Sequence, residues 1–453
     1  MANRRLVRLL FYVICIAFDL TLIPQGAAAA EHDRLLTGKA AMDDWTTDAP
    51  GVRRKITIED LPAPSLNFPR NFPRIVERPA DAHLQVPPGF RIDLYASGLV
   101  DPRFLLSAPN GDIFVTESRA NKIKVLRNTG DPNKLDVTEV FAERDLNEPF
   151  GVAFYPAGND PQFLYVANTD GVIRFPYRNG DVRARGPAEK LGVHLSGGAG
   201  PLGGGGHWTR DIVFSPDGKK MYVSVGSYSN VSDSAKESDR ARIFEFNPDG
   251  TGQKVYAWGI RNAVGIAFRP GSNELWMSTN ERDELGNDLP PDYISSVRPG
   301  GFYGWPWFYI GKHLDPHHEQ SPWRAGEGKH AELADKVIVP DVLVQAHSAT
   351  LNLCFYTGDQ FPAEYKGDIF AAFHGSWNRT KRTGYKIVRV PLDHSTGKAR
   401  GEYEDFVTGF VTRDGNVWGR PVGITVANDG SLLFSEDGNG TIWRVSYAGG
   451  SAL

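Results

Sequence analysis

Along this chain, short apolar runs are separated by turns rich in Pro, Asn, Asp and Gly, and one layout of two runs around a turn occurs six times. The copies are LLSAPNGDIFVTES (105–118), GVAFYPAGNDPQFLYVAN (151–168), DIVFSPDGKKMYVSVGS (211–227), GIAFRPGSNELWMSTN (265–280), CFYTGDQFPAEYKGDIFAAFHG (354–375) and GITVANDGSLLFSEDG (423–438). Each reads as a hairpin, because such turns need residues with positive or fixed φ. With Ile113, Leu164, Met221, Leu275, Ile369 and Leu432 as equivalent anchors, the steps are 51, 57, 54, 94 and 63 residues. A repeat of that length fits one blade of four short strands, which must stack on neighbours to bury its faces. Six copies predict an all-β, six-bladed β-propeller over 86–448. The single long step predicts an insertion between blades four and five, a pocket-face excursion over 281–345.

A first convincing strand, GFRIDLYASGL (89–99), lies ahead of the first copy. An unpaired edge invites aggregation, so this strand is expected to share a blade with the C-terminal strand. Residues 31–85 are polar and proline-punctuated, and are expected to lie across the propeller surface or stay partly disordered. Residues 1–30 resemble an export signal: Arg4, Arg5 and Arg8, an apolar stretch from Leu9 to Ile23, then Ala27 to Ala30 before Glu31. Asp19 interrupts the apolar stretch and argues against a stable membrane anchor. A periplasmic or secreted location follows. After cleavage only Cys354 remains, so no intrachain disulfide can form, and the absence of C-x-x-C-H excludes covalent c-type haem. A net charge of −4 gives no reason to expect nucleic acid as a partner.

The chemistry-bearing residues sit beside the repeats. Glycines at 203–206 permit close backbone approach to a ligand, and His207 follows them at the entrance to a blade. Arg261 and Asn262 precede the apolar run of blade four, while His374, Arg379 and Arg420 stand at the openings of the last two blades. Three arginines converging on one mouth imply an anionic small ligand, since an unpaired buried cation is costly. The segment 278–311 is dense in acids, glycines and prolines and closes on an aromatic block, which could supply the oxygen ligands of Ca²⁺. A solvated acidic loop is the competing reading.

Together GGGGHWTRDIVFSPDG, GIRNAVGIAF, NERDELGNDLPPDY, GGFYGWP, FHGSWNR and GRPVGITVANDG resemble the soluble glucose/sorbosone dehydrogenase family across about 89–447. The resemblance implies a six-bladed propeller that binds pyrroloquinoline quinone and Ca²⁺. It implies His207 as general base and Arg261, also catalytic, beside the cofactor. Asn262, His374, Trp377, Arg379 and Arg420 would contact the cofactor, and Gly286, Asn287 and Asp288 would form the Ca²⁺ loop. Ala263 and Val264, and the longer acidic loop, are closer to the sorbosone branch and place glucose in doubt. The implied activity is oxidation of a sugar or sugar-derived aldehyde or alcohol, followed by transfer to a separate cytochrome or quinone-like electron acceptor. Two other classes stay open. A Ca²⁺-dependent lactonase or esterase would use an oxygen set such as Glu117, Asn168, Glu281 and Glu436; a non-catalytic binding propeller would use none.

Overall fold

A computed structural model describes residues 34–449 apart from 66, 68, 129–134, 136, 198–205 and 319–328. The expected export signal and Gly203–Gly205 lie outside the described residues. Six antiparallel sheets of four strands form the ring. Blade one runs from Pro102–Ser107 to Val137–Ala142, blade two from Val152–Tyr155 to Glu189–His194, and blade three from Ile212–Phe214 to Lys254–Trp258. Blade four runs from Ala263–Phe268 to Val342–Val344, and blade five from Thr350–Phe355 to Glu402–Val407. Blade six combines Pro421–Val426, Leu432–Glu436 and Thr441–Tyr447 with Phe90–Ala96 from the other end of the propeller. No helix among the described residues is long and apolar enough to cross a membrane.

The six anchors all fall at or next to the start of the second strand of a blade. In five blades every residue of that strand is buried. Each blade is covered by a neighbour on both faces, which is why these segments are near-continuous apolar runs and lack a polar face. Antiparallel pairing of Phe90–Ala96 with Thr441–Tyr447 closes the ring, and the Phe90 ring meets Phe361, Tyr365, Phe406 and Tyr447 edge-on.

The insertion lies one strand earlier than its length suggested. It falls inside blade four, between the third strand Asp292–Ser296 and the fourth strand Val342–Val344, which still pair with each other. Periodicity counts residues between anchors and cannot say which connection carries the excess. The excursion leaves the end opposite the mouth, and Gly301–Phe302 adds in parallel to the outer strand Lys254–Trp258 of blade three. It then reaches the mouth side, where Asp315 forms a buried ion pair with Arg282 at 2.6 Å.

The N-terminal extension is partly built into the ring. Arg53–Lys55 pairs with the outer strand Glu402–Val407 of blade five, and Leu35–Thr37 adds outside it. Leu36, Met42, Val52 and Ile56 pack with Leu285, Leu289, Tyr309, Ile310 and Leu343. Arg54 is fully buried between Asp405 (2.6 Å) and Asp48 (2.9 Å), and Lys386 bridges the same two carboxylates at 2.8 and 2.7 Å. Removing one member of such a network strands the others without compensation. Arg54→Met is therefore expected to lower stability in chemical denaturation by about 3–5 kcal/mol; a loss below about 1 kcal/mol would show the extension to be an ornament on an independent ring.

Candidate active site

All six inner strands begin at the same end of the ring, so residues just ahead of them face one mouth. His207, Arg261 with Asn262, and Arg420 occupy that position ahead of Ile212–Phe214, Ala263–Phe268 and Pro421–Val426. His374, Trp377 and Arg379 follow Ile369–Phe373, in the turn between the second and third strands of blade five, at the same end.

His207 is held by Ser227. The Ser227 carbonyl accepts the His207 main-chain N–H at 3.0 Å and lies 2.9 Å from Nδ1. A proton on Nδ1 satisfies this contact and leaves the Nε2 lone pair without a partner among the described residues. The Ser227 N–H in turn donates to the Arg261 carbonyl at 2.7 Å, so one residue fixes both neighbours. Burial, followed by the Arg261 charge, holds the imidazole well below its ordinary range, so it is neutral at pH 7. Gly226 sits between them: a Cβ there would collide with Asn262 Oδ1 and approach His207 Cβ to 2.7 Å. Asn262 Oδ1 is buried and has no hydrogen-bond partner among the described residues.

Arg261 is anchored on four oxygens. It donates to the Asn230 carbonyl (3.2 Å), Asn230 Oδ1 (3.1 Å), the Glu281 carbonyl (2.6 Å) and Asp283 Oδ2 (3.1 Å). Asp283 also accepts from Asn378 Nδ2 at 2.6 Å, tying the blade-five turn to the blade-four loop. Behind them, burial pushes the Glu281 carboxyl up to about 8 and that of Asp292 up to about 7. Asp292 accepts the main-chain N–H groups of Glu281 and Ala349, at 2.8 and 2.7 Å.

A second cluster surrounds Asp437. Its buried carboxylate meets Arg103, His374 Nε2 at 3.0 Å and Arg420 Nε at 2.8 Å. Burial alone would raise this carboxyl, but His374, Arg103 and Arg420 outweigh burial and hold it far below the usual range. Burial brings His374 down to about 4 despite Asp437, so the neutral ring donates to the carboxylate. The Arg420 side chain is 26% exposed, and its terminal nitrogens have no partner among the described residues. The Arg103 guanidinium lies 5.5 Å from the Trp208 ring, and Trp208 packs edge-on against Phe150 at 6.0 Å, making an aromatic wall beside His207. Arg103 and Asp437 escaped sequence reading. Arg103 immediately precedes the inner apolar run of blade one, and applying the Arg420 position to that blade would have found it.

The expected Ca²⁺ loop is engaged elsewhere. The Gly286 carbonyl accepts from His347 Nε2 at 2.9 Å, and the Asn287 carbonyl accepts from Arg379 Nε at 2.8 Å. Asn287 Oδ1 accepts the Thr380 N–H at 2.9 Å, and Asp288 pairs with Arg379. A guanidinium among these oxygens repels a divalent cation, so Gly286, Asn287 and Asp288 do not fit Ca²⁺ in this arrangement. The same contacts, with a 2.6 Å bond to the Met42 carbonyl, commit Arg379 to the loop and the N-terminal extension. Counting oxygens in one segment missed the cation that blade five inserts among them. Trp377 stacks on Phe72 of the extension at 5.1 Å. Glu117, Asn168, Glu281 and Glu436 do not form a ligand set, and no group of three or more His, Cys, Asp or Glu side chains among the described residues is arranged to hold a metal.

Known proteins are similar to this chain over most of the ring. A family model described as TrAA12-like matches residues 84–301 and 316–448. An uncharacterized protein of Borreliella burgdorferi is 29% identical over 374 residues, covering 80% of this chain and 91% of that one. A pyrroloquinoline quinone-dependent pyranose dehydrogenase of Coprinopsis cinerea is 22% identical over 419 residues, covering 81% of this chain; the chain spans about half, 55%, of that protein's length. The holo form of the quinone-binding domain of the Coprinopsis enzyme superposes with a TM-score of 0.66 at 21% identity, covering 83% of this chain and 100% of that domain. A quinone-bound aldose sugar dehydrogenase of Streptomyces coelicolor gives 0.55 at 18% identity, covering 82% and 99%. With the match running through all six blades and interrupted only at 302–315, the chain belongs to the TrAA12-like family, alongside pyrroloquinoline quinone-dependent sugar dehydrogenases.

Proposed function

We propose that this protein oxidises a pyranose or related aldose by hydride transfer to pyrroloquinoline quinone, with His207 as general base. The observation that carries the reading is the neutral His207 whose Nε2 lone pair is free at a mouth also lined by Arg261 and Arg420. An Nδ1–H committed to a carbonyl leaves Nε2 as the proton acceptor, in the tautomer a base requires. Such an imidazole can take the hydroxyl proton as hydride leaves the adjoining carbon.

The donor and acceptor set at the mouth fits the quinone. Its carboxylates match the unpartnered terminal nitrogens of Arg420, and the orphaned Asn262 Oδ1 offers a buried acceptor. Gly226 leaves no room for a side chain beside them and keeps the floor of the mouth thin. When bound, the quinone supplies the two-electron, hydride-accepting centre. Arg261, held rigidly by Asn230 and Asp283, contributes positive charge where negative charge develops, and Trp208 with Phe150 limits water at the base. Calcium has no fitting cradle at 286–288, and no step depends on it. Export before function, suggested by residues 1–30, and delivery of electrons to a separate cytochrome or quinone-like acceptor complete the proposal.

Titrating purified protein with the quinone, followed by absorption and by dye-coupled oxidation of a panel of pyranoses and aldoses, tests this reading. Binding without turnover of any sugar would sink the dehydrogenase assignment. His207→Gln is expected to keep the quinone but to lower turnover about 10²–10⁴-fold; a loss under about threefold would remove His207 from the chemistry. Arg420→Met should weaken quinone affinity about 10–100-fold, the worth of a charge-assisted contact. The pH profile has a definite sign. Because the base form of His207 persists below its ordinary range, turnover should stay level from pH 8 down past 6.5 and fall only in more acidic solution. An acid limb centred near 6.5 would contradict the half-buried, cation-flanked imidazole.

A further inference from the structure

Beneath His207 lie two arginines that no ion pair explains. Arg210 and Arg240 are buried at 0% and 2% exposure, and among the described residues the oxygens they donate to are main-chain carbonyls, not carboxylates. Both donate to the same oxygen. The His207 carbonyl accepts from Arg210 Nη1 at 2.9 Å and from Arg240 Nη1 at 3.0 Å. Arg240 Nη1 also reaches the carbonyls of Gly226 and Ser227, each at 3.2 Å, and Ser227 is the residue that faces His207 Nδ1. Arg210 donates further to the Thr209 carbonyl (2.7 Å) and the Ser196 carbonyl (2.8 Å). One nitrogen of each guanidinium, Arg210 Nε and Arg240 Nη2, is buried without a partner among the described residues. Burying an unpaired cation is costly and two together more so, so packing alone does not account for them.

We infer that Arg210 and Arg240 are positioning residues that hold the main chain on both sides of His207 Nδ1, keeping its proton on that nitrogen and the Nε2 lone pair toward the mouth. The inference rests on the reading of His207 as a base, but its geometry can be tested without turnover. Hydrogen bonds from Arg240 to the Ser227 carbonyl orient the acceptor of the Nδ1 proton. Those from both arginines to the His207 carbonyl prevent the backbone from turning the ring away. Their charge acts in the same direction: both, after burial and Arg261, disfavour imidazolium. The charges are themselves tempered by Glu148 and Asp170 near Arg210, and by Glu237 near Arg240.

Histidine-labelled full-length protein, observed by ¹⁵N NMR without added quinone, reports both tautomer and titration of His207, assigned by His207→Gln. Wild-type protein should show the Nδ1–H tautomer and no His207 titration between pH 8 and 6. The Nε2–H tautomer, or ordinary titration near 6.5, overturns the inference even if no arginine variant folds. In folded Arg240→Gln, the His207 titration should move toward neutral pH relative to wild type. For the quinone-loaded enzyme, turnover at pH 5 relative to pH 8 should drop about tenfold with KM unchanged. Arg240→Lys, which keeps the charge, should restore most of the acid-side activity. An unmoved titration and pH profile in folded Arg240→Gln would reduce both arginines to loop supports. If the pH effect appears in NMR but wild-type protein oxidises no sugar, the positioning role stands and the dehydrogenase reading fails.

Discussion

Closure of the ring is the constraint on which the rest depends. Phe90–Ala96 supplies the outer strand of a blade whose other three strands come from the far end of the propeller. Only a closed ring forces six inner strands to start at one mouth, and only then do residues as distant as Arg103, His207, Arg261 and Arg420 share a site. Without a disulfide to clamp the ring, closure rests on antiparallel pairing and on the aromatic packing around Phe90. Single blades could not bury these second strands, which are apolar on both faces.

Within the mouth the electrostatic pattern is cation-rich and unevenly compensated. Arg103 and Arg420 share Asp437, Arg261 has Asp283, and Arg379 is spent on Asp288. Among the described residues, Arg210 and Arg240 donate only to carbonyl oxygens. A site of this kind suits an anionic cofactor and keeps a histidine neutral, and the same excess of positive charge makes the Gly286–Asp288 segment a poor cation cradle. Ser227 converts the pattern into geometry, since its N–H and carbonyl set Arg261 and His207 relative to each other.

Two segments outside the family match pack together. The N-terminal extension contributes Leu36, Met42 and Ile56, and the blade-four insertion contributes Tyr309 and Ile310, to one apolar cluster. Each lacks a core of its own, and their mutual burial supports the rim of the mouth beside blades four and five. Arg379 ties the extension to the ring, through the Met42 carbonyl and the blade-four loop at Asn287 and Asp288.

The sequence by itself determined the blade count, the strand anchors and the positions that open onto the mouth. Those properties are local: a hairpin turn, a buried strand and the residue ahead of it are each written in a dozen consecutive positions. The positions of His207, Arg261, Asn262 and Arg420 at the mouth were legible for that reason. What the tertiary structure decided is which polar groups satisfy one another across blades. That Arg379 pairs with the Gly286–Asp288 segment was not legible, because only the fold of blade five brings the two within hydrogen-bonding distance. Asp437 carried no signal of its own in the sequence; closure of the ring placed Arg103 from blade one beside it. Pairings between residues hundreds of positions apart leave no trace in periodicity or composition, because desolvation and charge compensation act through space and are fixed only when the ring closes.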